Sequence, residues 1–176
     1  MSQSLESVYY FNSRFHAAPP AEVGHWVDLA LDPSAAHTLI RLGLSPRKDL
    51  PAMLLSEPGG KLRVVALRLS PEDALRLRRG EGLDGEQLQV FSSSWCPDCK
   101  RSKRLLDDLG VPYREVIVDE DPQTEALILE KSGGRRVVPT LLLDDRLFAF
   151  NPDPSLLRRL APPNLRAQNA GAPAAG

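Results

Sequence analysis

Cysteine is nearly absent from this chain: of 176 residues only Cys96 and Cys99 carry a thiol, too few for the disulfide frameworks that hold small secreted folds together. No basic stretch followed by an apolar core appears in Met1-Ser2-Gln3-Ser4-Leu5-Glu6, so no secretory leader is read there. No apolar run approaches the roughly 20 residues needed to cross a bilayer. An excess of one charge is also missing. The 22 Lys and Arg against 23 Asp and Glu leave a net charge of -1, which excludes a global field that would draw the protein to nucleic acid or anionic lipid. The three histidines, His16, His25 and His37, all lie far from the cysteines in the chain, so a four-ligand zinc site is short of ligands. These absences predict a cytoplasmic protein with no nucleic-acid partner, no membrane association, no bound metal and no bound cofactor.

What is there begins with the pair itself, set in Trp95-Cys96-Pro97-Asp98-Cys99. It follows a run from Leu88 to Phe91 that reads as a strand, and it opens a helical run from Pro97 to Leu109. Beyond it the pattern predicts a strand over Tyr113–Val118 and a helix over Pro122–Ser132. Two short strands, Thr140–Leu143 and Leu147–Phe150, and a helix over Pro154–Leu160 complete the order βαβαββα. In the first helix Cys99, Ser102, Leu106 and Leu109 share one face while Lys100, Arg101, Lys103 and Arg104 fill the rest, as an amphipathic surface helix requires.

The first half carries a weak internal repeat of the second. Tyr10-Phe11-Asn12-Ser13-Arg14-Phe15-His16 lies against Val90-Phe91-Ser92-Ser93-Ser94-Trp95-Cys96 at an offset of 80. Leu31-Asp32-Pro33 matches Glu120-Asp121-Pro122 at 89, and Leu50-Pro51-Ala52 matches Val138-Pro139-Thr140 at 88. The jump of nine residues equals about two and a half helical turns and falls where the first helix belongs. The expected architecture is therefore an α/β redox domain over residues 88–160, preceded by a cysteine-free α/β half over 1–82 that lacks the first helix. Residues 83–87 read as a linker, and 161–176, rich in Pro, Ala and Gly, as a disordered tail. At the offset of 80, His16 takes the place of Cys96.

A helix N-terminus presents unpaired N–H groups and a partial positive charge, which favour a thiolate placed there. Pro97 suits the first helical turn, where its missing N–H costs nothing. The sequence thus assigns Cys96 as the exposed attacking thiol and Cys99, on the core face, as the buried resolving thiol. Asp98 opposes the thiolate, and Lys100 and Arg101 favour it.

With these residues in place, the chain resembles the thioredoxin superfamily on its glutaredoxin side, over about residues 87–160. The resemblance rests on a strand followed by Cys96-Pro97-Asp98-Cys99, and on Val138-Pro139-Thr140 before the second strand pair. It implies a mixed four-stranded sheet flanked by helices, with the first half a degenerate thioredoxin-like βαββα unit. It further implies a cis bond at Pro139 and substrate paired with the backbone of Val138 beside Cys96. Two features depart from glutathione-using relatives. Ser92-Ser93-Ser94-Trp95 stands where those relatives carry a lysine, and Asn151-Pro152-Asp153-Pro154 replaces their Gly-Gly and Asp signature. Trp95 and Asn151-Pro152 are instead similar to mycoredoxins.

The resemblance implies a thiol–disulfide oxidoreductase acting on disulfide-bearing client proteins or on mixed disulfides. The co-substrate is then a low-molecular-weight thiol (mycothiol, bacillithiol or glutathione) or a thiol reductase. Trp95, Pro97, Asp98, Arg136, Val138, Pro139 and Asn151 are the residues expected to bind substrate or thiol. Two other readings stay open at this point: a redox-sensing module in which the first half docks a partner, and a metal or iron–sulfur carrier using Cys96.

Overall fold

The computed structural model describes residues 6–56 and 62–170. In the first half, strand β1 (Glu6–Phe11) leads through a single 3-10 turn at Ala21–Val23 to β2 (His25–Asp28). Then follow α1 (Ala35–Arg41), β3 (Ala52–Ser56), β4 (Leu62–Ala66) and α2 (Pro71–Arg79). The second half runs β5 (Leu88–Ser92), α3 (Pro97–Asp108), β6 (Arg114–Ile117), α4 (Pro122–Lys131), β7 (Thr140–Leu143), β8 (Leu147–Phe150), α5 (Pro154–Leu160) and α6 (Pro163–Ala170).

The two sheets share one topology, β2-β1-β3-β4 and β6-β5-β7-β8. In each, the first two strands of the half pair in parallel and the remaining ladders are antiparallel. This is the expected fold class, with the helix after β1 missing from the first half. In that helix's place the 3-10 turn brings Val23 into the core, 1% exposed, and the guanidinium of Arg78 donates to the Val23 carbonyl at 2.7 Å. The duplication extends to the loops. Leu50-Pro51 and Val138-Pro139 are both cis. The carbonyl of each of these prolines accepts an N–H from just past the half's last strand, Leu69 to Pro51 at 2.8 Å and Asn151 to Pro139 at 2.7 Å.

The ladders correct the expected alignment by one residue. Tyr10 stands opposite Val27 and Ala52, whereas Phe91 stands opposite Val116 and Thr140. The offset of β1 to β5 is therefore 91 − 10 = 81, not 80, while β2 and β3 keep 89 and 88. Burial agrees: Tyr10 and Phe91 pack in one core cluster, Tyr9 and Val90 in the other. A slip of one residue exchanges the two faces of a strand, so local string similarity between Phe11 and Phe91 is overruled by which side each ring must bury. Phe15, not His16, falls at the place of Cys96.

The halves meet along β4 and β8, which lie side by side, and the N–H of Leu67 donates to the Arg146 carbonyl at 3.0 Å. Helices cover both faces. Tyr9, Leu77, Val90, Leu106 and Leu157 fill one side with contributions from α2, α3 and α5. Tyr10, Leu39, Leu54, Phe91 and Ile128 fill the other, under α1 and α4. The C-terminal ends of α1 and α4 touch so closely that a Cβ at Gly43 would stand 2.3 Å from the Glu130 carbonyl oxygen, and Gly43 also has φ +80°. Beside them Lys131 pairs with Asp49 at 2.9 Å, a carboxylate only 4% exposed that also accepts the Ser45 N–H.

Within the stretch from Ala161 expected to be disordered, Pro163–Ala170 is helical. Ala161 and Leu165 are buried in the core, and the side chain of Asn164 both donates to and accepts from the backbone of Gly85. Composition pointed to mobility because it weighs the many small residues and misses one well-placed leucine and one amide. Residues 171–176 lie outside the described residues. The connecting stretch is anchored too: Leu83 is fully buried, and the N–H groups of Glu86 and Gln87 donate to the Asp144 carboxylate.

Candidate active site

Four helices of this chain begin with the same device, a capping side chain followed by proline: Ser70-Pro71, Cys96-Pro97, Asp121-Pro122 and Asp153-Pro154. A helix N-terminus leaves its first N–H groups without intrahelical partners, and a side-chain acceptor at the cap satisfies one of them. Three of the caps are oxygens. In α3 the acceptor is sulfur: the N–H of Cys99 donates to Cys96 Sγ at 3.1 Å. Such a bond strengthens as the sulfur takes on negative charge, so the fold has put an ionisable atom in the position where anions are favoured.

Opposite the cap stands the loop of the cis-proline. Cys96 Sγ lies 3.8 Å from the Val138 carbonyl oxygen. The loop is braced by the Thr140 hydroxyl donating to the Val137 carbonyl at 2.8 Å. Asn151 braces it from below through its N–H to Pro139, and adopts φ 43°, a left-handed conformation that asparagine tolerates better than most residues. Cys96 is correspondingly more covered than expected, at 5% exposure. Trp95 next to it stands 66% exposed. The mouth of the site is thus an indole rather than a bare thiol.

Cys99 is fully buried, and both cysteines are free thiols. Burial pushes the Cys99 thiol up to about 12, helped by its hydrogen bond with Cys96 and, less, by the charge of that neighbour; the Ser93 backbone and Lys103 pull the other way. The two thiols are therefore chemically unlike. One caps a helix beneath the exposed Trp95, and the other is held protonated in the core.

Asp98, expected to oppose a thiolate, is engaged with Arg101 at 2.6 Å. Arg136 does not project freely toward the site. It pairs with Asp119 and, at 2.9 Å, with Glu125, and the Ser93 hydroxyl donates to the other oxygen of Asp119 at 2.8 Å. Arg136, followed by Ser93, holds the Asp119 carboxyl below the usual carboxylate range. A second network runs behind Cys99: Ser92 and Lys103 both reach Glu115 at 2.6 Å, and Lys103, then Ser92, depress its carboxyl. Sequence reasoning missed Ser92, Ser93, Glu115, Asp119 and Glu125. The serines are unremarkable in a polar run, and the acids became partners only once β6 was laid beside β5. Among the described residues no three His, Cys, Asp or Glu side chains converge to hold a metal, and no helix is long and apolar enough to cross a membrane.

Known proteins similar to this chain match the segment that carries these residues. A model of the glutaredoxin family matches residues 88–148. Mycoredoxin 1 of Corynebacterium glutamicum is 32% identical over 63 residues, which cover 36% of this chain and 77% of that one. A probable glutaredoxin of Synechocystis is 35% identical over 74 residues, covering 41% of this chain and 68% of that one. Glutaredoxin 1 of Rickettsia conorii is 37% identical over 57 residues, covering 32% and 56%. The match thus spans little more than half of the Rickettsia relative. A crystal structure of wheat glutaredoxin overlays 45% of this chain and 77% of that one at 24% identity with a TM-score of 0.33. Through the segment that carries Cys96, Cys99 and Pro139, the chain belongs to the glutaredoxin family.

Proposed function

We propose that the protein is a thiol–disulfide oxidoreductase in which Cys96 is the nucleophile and Cys99 the resolving thiol. The Cys96 thiolate attacks one sulfur of a client disulfide, the client S–S bond breaks, and the departing client sulfur takes a proton. A mixed disulfide on Cys96 remains. Cys99 then loses its proton and attacks Cys96 Sγ. That step releases the second client thiol and leaves a Cys96–Cys99 disulfide, which two equivalents of a low-molecular-weight thiol, or a reductase, return to the dithiol. The observation that carries the reading is the helix cap, with Cys99 N–H on Cys96 Sγ at 3.1 Å and a protonated Cys99 thiol buried directly beneath.

The raised Cys99 value also orders the steps. Part of the elevation comes from Cys96 itself, and converting Cys96 to a mixed disulfide removes that negative charge, so the resolving thiol is activated after the client is bound. Trp95, Pro97, Asp98, Val138, Pro139 and Asn151 shape the groove, and Arg136 fixes its floor through Asp119 and Glu125. The departures around Ser92–Trp95 and Asn151–Asp153 favour a thiol other than glutathione, mycothiol first, in a reducing cytoplasmic setting.

The test is turnover of mixed disulfides of mycothiol, bacillithiol and glutathione by wild type, Cys96→Ser and Cys99→Ser. We expect no turnover without Cys96, and retained monothiol turnover without Cys99 for the matching thiol. Full activity in Cys96→Ser overturns the reading.

A further inference from the structure

The first half carries no cysteine, yet the loop before its cis-proline reaches across to the second half. Asp49, two residues before Pro51, accepts from Lys131 Nζ through both carboxylate oxygens, at 2.9 and 3.1 Å. Asp49 is buried, and the Lys131 side chain is only 13% exposed. The Ser45 N–H donates to the same carboxylate at 2.7 Å, and the Asp49 carbonyl takes the Arg68 N–H at 3.1 Å. The acid is therefore fixed from its own side. Further hydrogen bonds of this kind are what let a buried ion pair hold one geometry.

Lys131 is the last residue of α4, and the loop that follows it is the one that reaches Cys96. That loop has little slack. The Gly134 N–H donates to the Leu129 carbonyl at 2.7 Å, and the Ser132 hydroxyl donates to the Arg135 carbonyl while accepting the Arg135 N–H at 3.1 Å. The Thr140 hydroxyl holds the Val137 carbonyl, and the Val138 carbonyl then stands 3.8 Å from Cys96 Sγ. Beside the ion pair the ends of α1 and α4 dock backbone on backbone: a Cβ at Gly43 would lie 2.6 Å from the Gly133 nitrogen, and one at Gly133 3.2 Å from the Arg41 carbonyl oxygen. The charge pair has no mirror image. Counted from the cis-prolines Pro51 and Pro139, the counterpart of Asp49 is Val137. Counted from Gly43 and Gly133, which follow the C-caps of α1 and α4, the counterpart of Lys131 is Arg41. A valine and an arginine cannot form an ion pair, so the half without thiols grips the loop of the half that has them and the grip is not returned.

On the reading of Cys96 as nucleophile and of Val138-Pro139 as a wall of its groove, we infer that Asp49 and Lys131 are positioning residues of the active site. Through them the first half pins the end of α4 and holds that wall at the distance from Cys96 at which a disulfide is placed for attack. Cys96 itself is fixed separately, by the cap of α3 on the Cys99 N–H, which the pair does not touch. Loosening the pair therefore misplaces the substrate and leaves the cap that favours the thiolate as it is.

Two measurements on the full-length reduced protein test this, with Lys131→Met, Asp49→Asn and the double variant each held well below its unfolding midpoint. In turnover of the mixed disulfide that wild type reduces fastest, we expect kcat/KM to fall by about tenfold in each single variant, part of the roughly hundredfold that a 1 Å misplacement can cost. Alkylation of Cys96 by iodoacetamide should be no slower than in wild type, and Lys131→Arg, which keeps the charge, should restore turnover. Hydrogen exchange read by NMR is the second measurement. The Gly134 and Asn151 amides, bonded to Leu129 and Pro139, should exchange faster in the variants, and the Cys99 amide at the wild-type rate. The double variant should lose no more than the worse single one, because the two side chains act as a unit. It also leaves no buried charge unpaired, so it is read in place of a single variant that fails to fold. Unchanged exchange at Gly134 and Asn151, wild-type kcat/KM in both single variants, or losses that add in the double variant overturn the inference. A wild-type protein that turns over no disulfide sinks the oxidoreductase reading instead, and the exchange rates still decide whether the pair holds the loop.

Discussion

The buried thiol of Cys99 makes a quantitative claim on stability. Its pKa stands near 12 in the folded protein against 9.0 when unfolded, chiefly through burial. A group whose folded value is raised stabilises the fold fully below its unfolded value and loses that contribution as pH rises toward the folded value. Between pH 8 and pH 10 the reduced protein should therefore lose on the order of 1 kcal/mol through Cys99. The perturbation that isolates it is Cys99→Ser. Tyr9, Tyr10 and Tyr113 are also raised by burial and steepen the alkaline slope in both proteins alike, so the difference between the two slopes belongs to Cys99 and its interaction with Cys96. The assay is urea unfolding of each protein under reducing, anaerobic conditions across that pH range. Parallel slopes would refute the reasoning: Cys99 would then ionise in the fold as readily as in the unfolded chain, and the asymmetry between the thiols would vanish.

Two further outcomes follow from contacts elsewhere in the fold. Gly43→Ala places a methyl group against the Glu130 carbonyl oxygen in a left-handed backbone and should cost about 2 kcal/mol or more, read as a lowered denaturant midpoint with both halves unfolding together. Glu115 is held ionised by Lys103 and Ser92, so its stabilising contribution is present above its unfolded value of 4.5 and lost as pH falls below it; Glu115→Gln should flatten the acid limb of a stability profile measured by thermal unfolding.

Much of the second half was legible because each of its signals has a short-range cause. Proline after a capping residue starts α3, α4 and α5, glycine ends α3 through a left-handed Gly110, and alternating apolar runs mark the strands between. The first half was legible only through Pro51, Pro33 and the strand before them. The register of β1 escaped because it is set by ladders to β2 and β3 far along the chain, and by whether Tyr9 or Tyr10 faces a given core. Val138 was expected beside Cys96, but how far the thiol is covered escaped, since that depends on the close approach of a loop 42 residues away. Arg136 was singled out as a ligand group, and its two ion partners were not, because only the folded chain brings Asp119 and Glu125 to it. The helical tail rests on Leu165 and Asn164, whose partners lie in the distant core and at Gly85.

The central claim is the division of labour between Cys96 and Cys99, and intact-protein mass spectrometry tests it most directly. Cys99→Ser isolated from extract of its own cells, without added reductant, is predicted to carry a low-molecular-weight thiol or a client protein in disulfide linkage at Cys96, with Cys96→Ser unmodified under the same treatment. An adduct on Cys99 in the Cys96→Ser protein, with Cys96 unmodified in the other variant, would contradict the account.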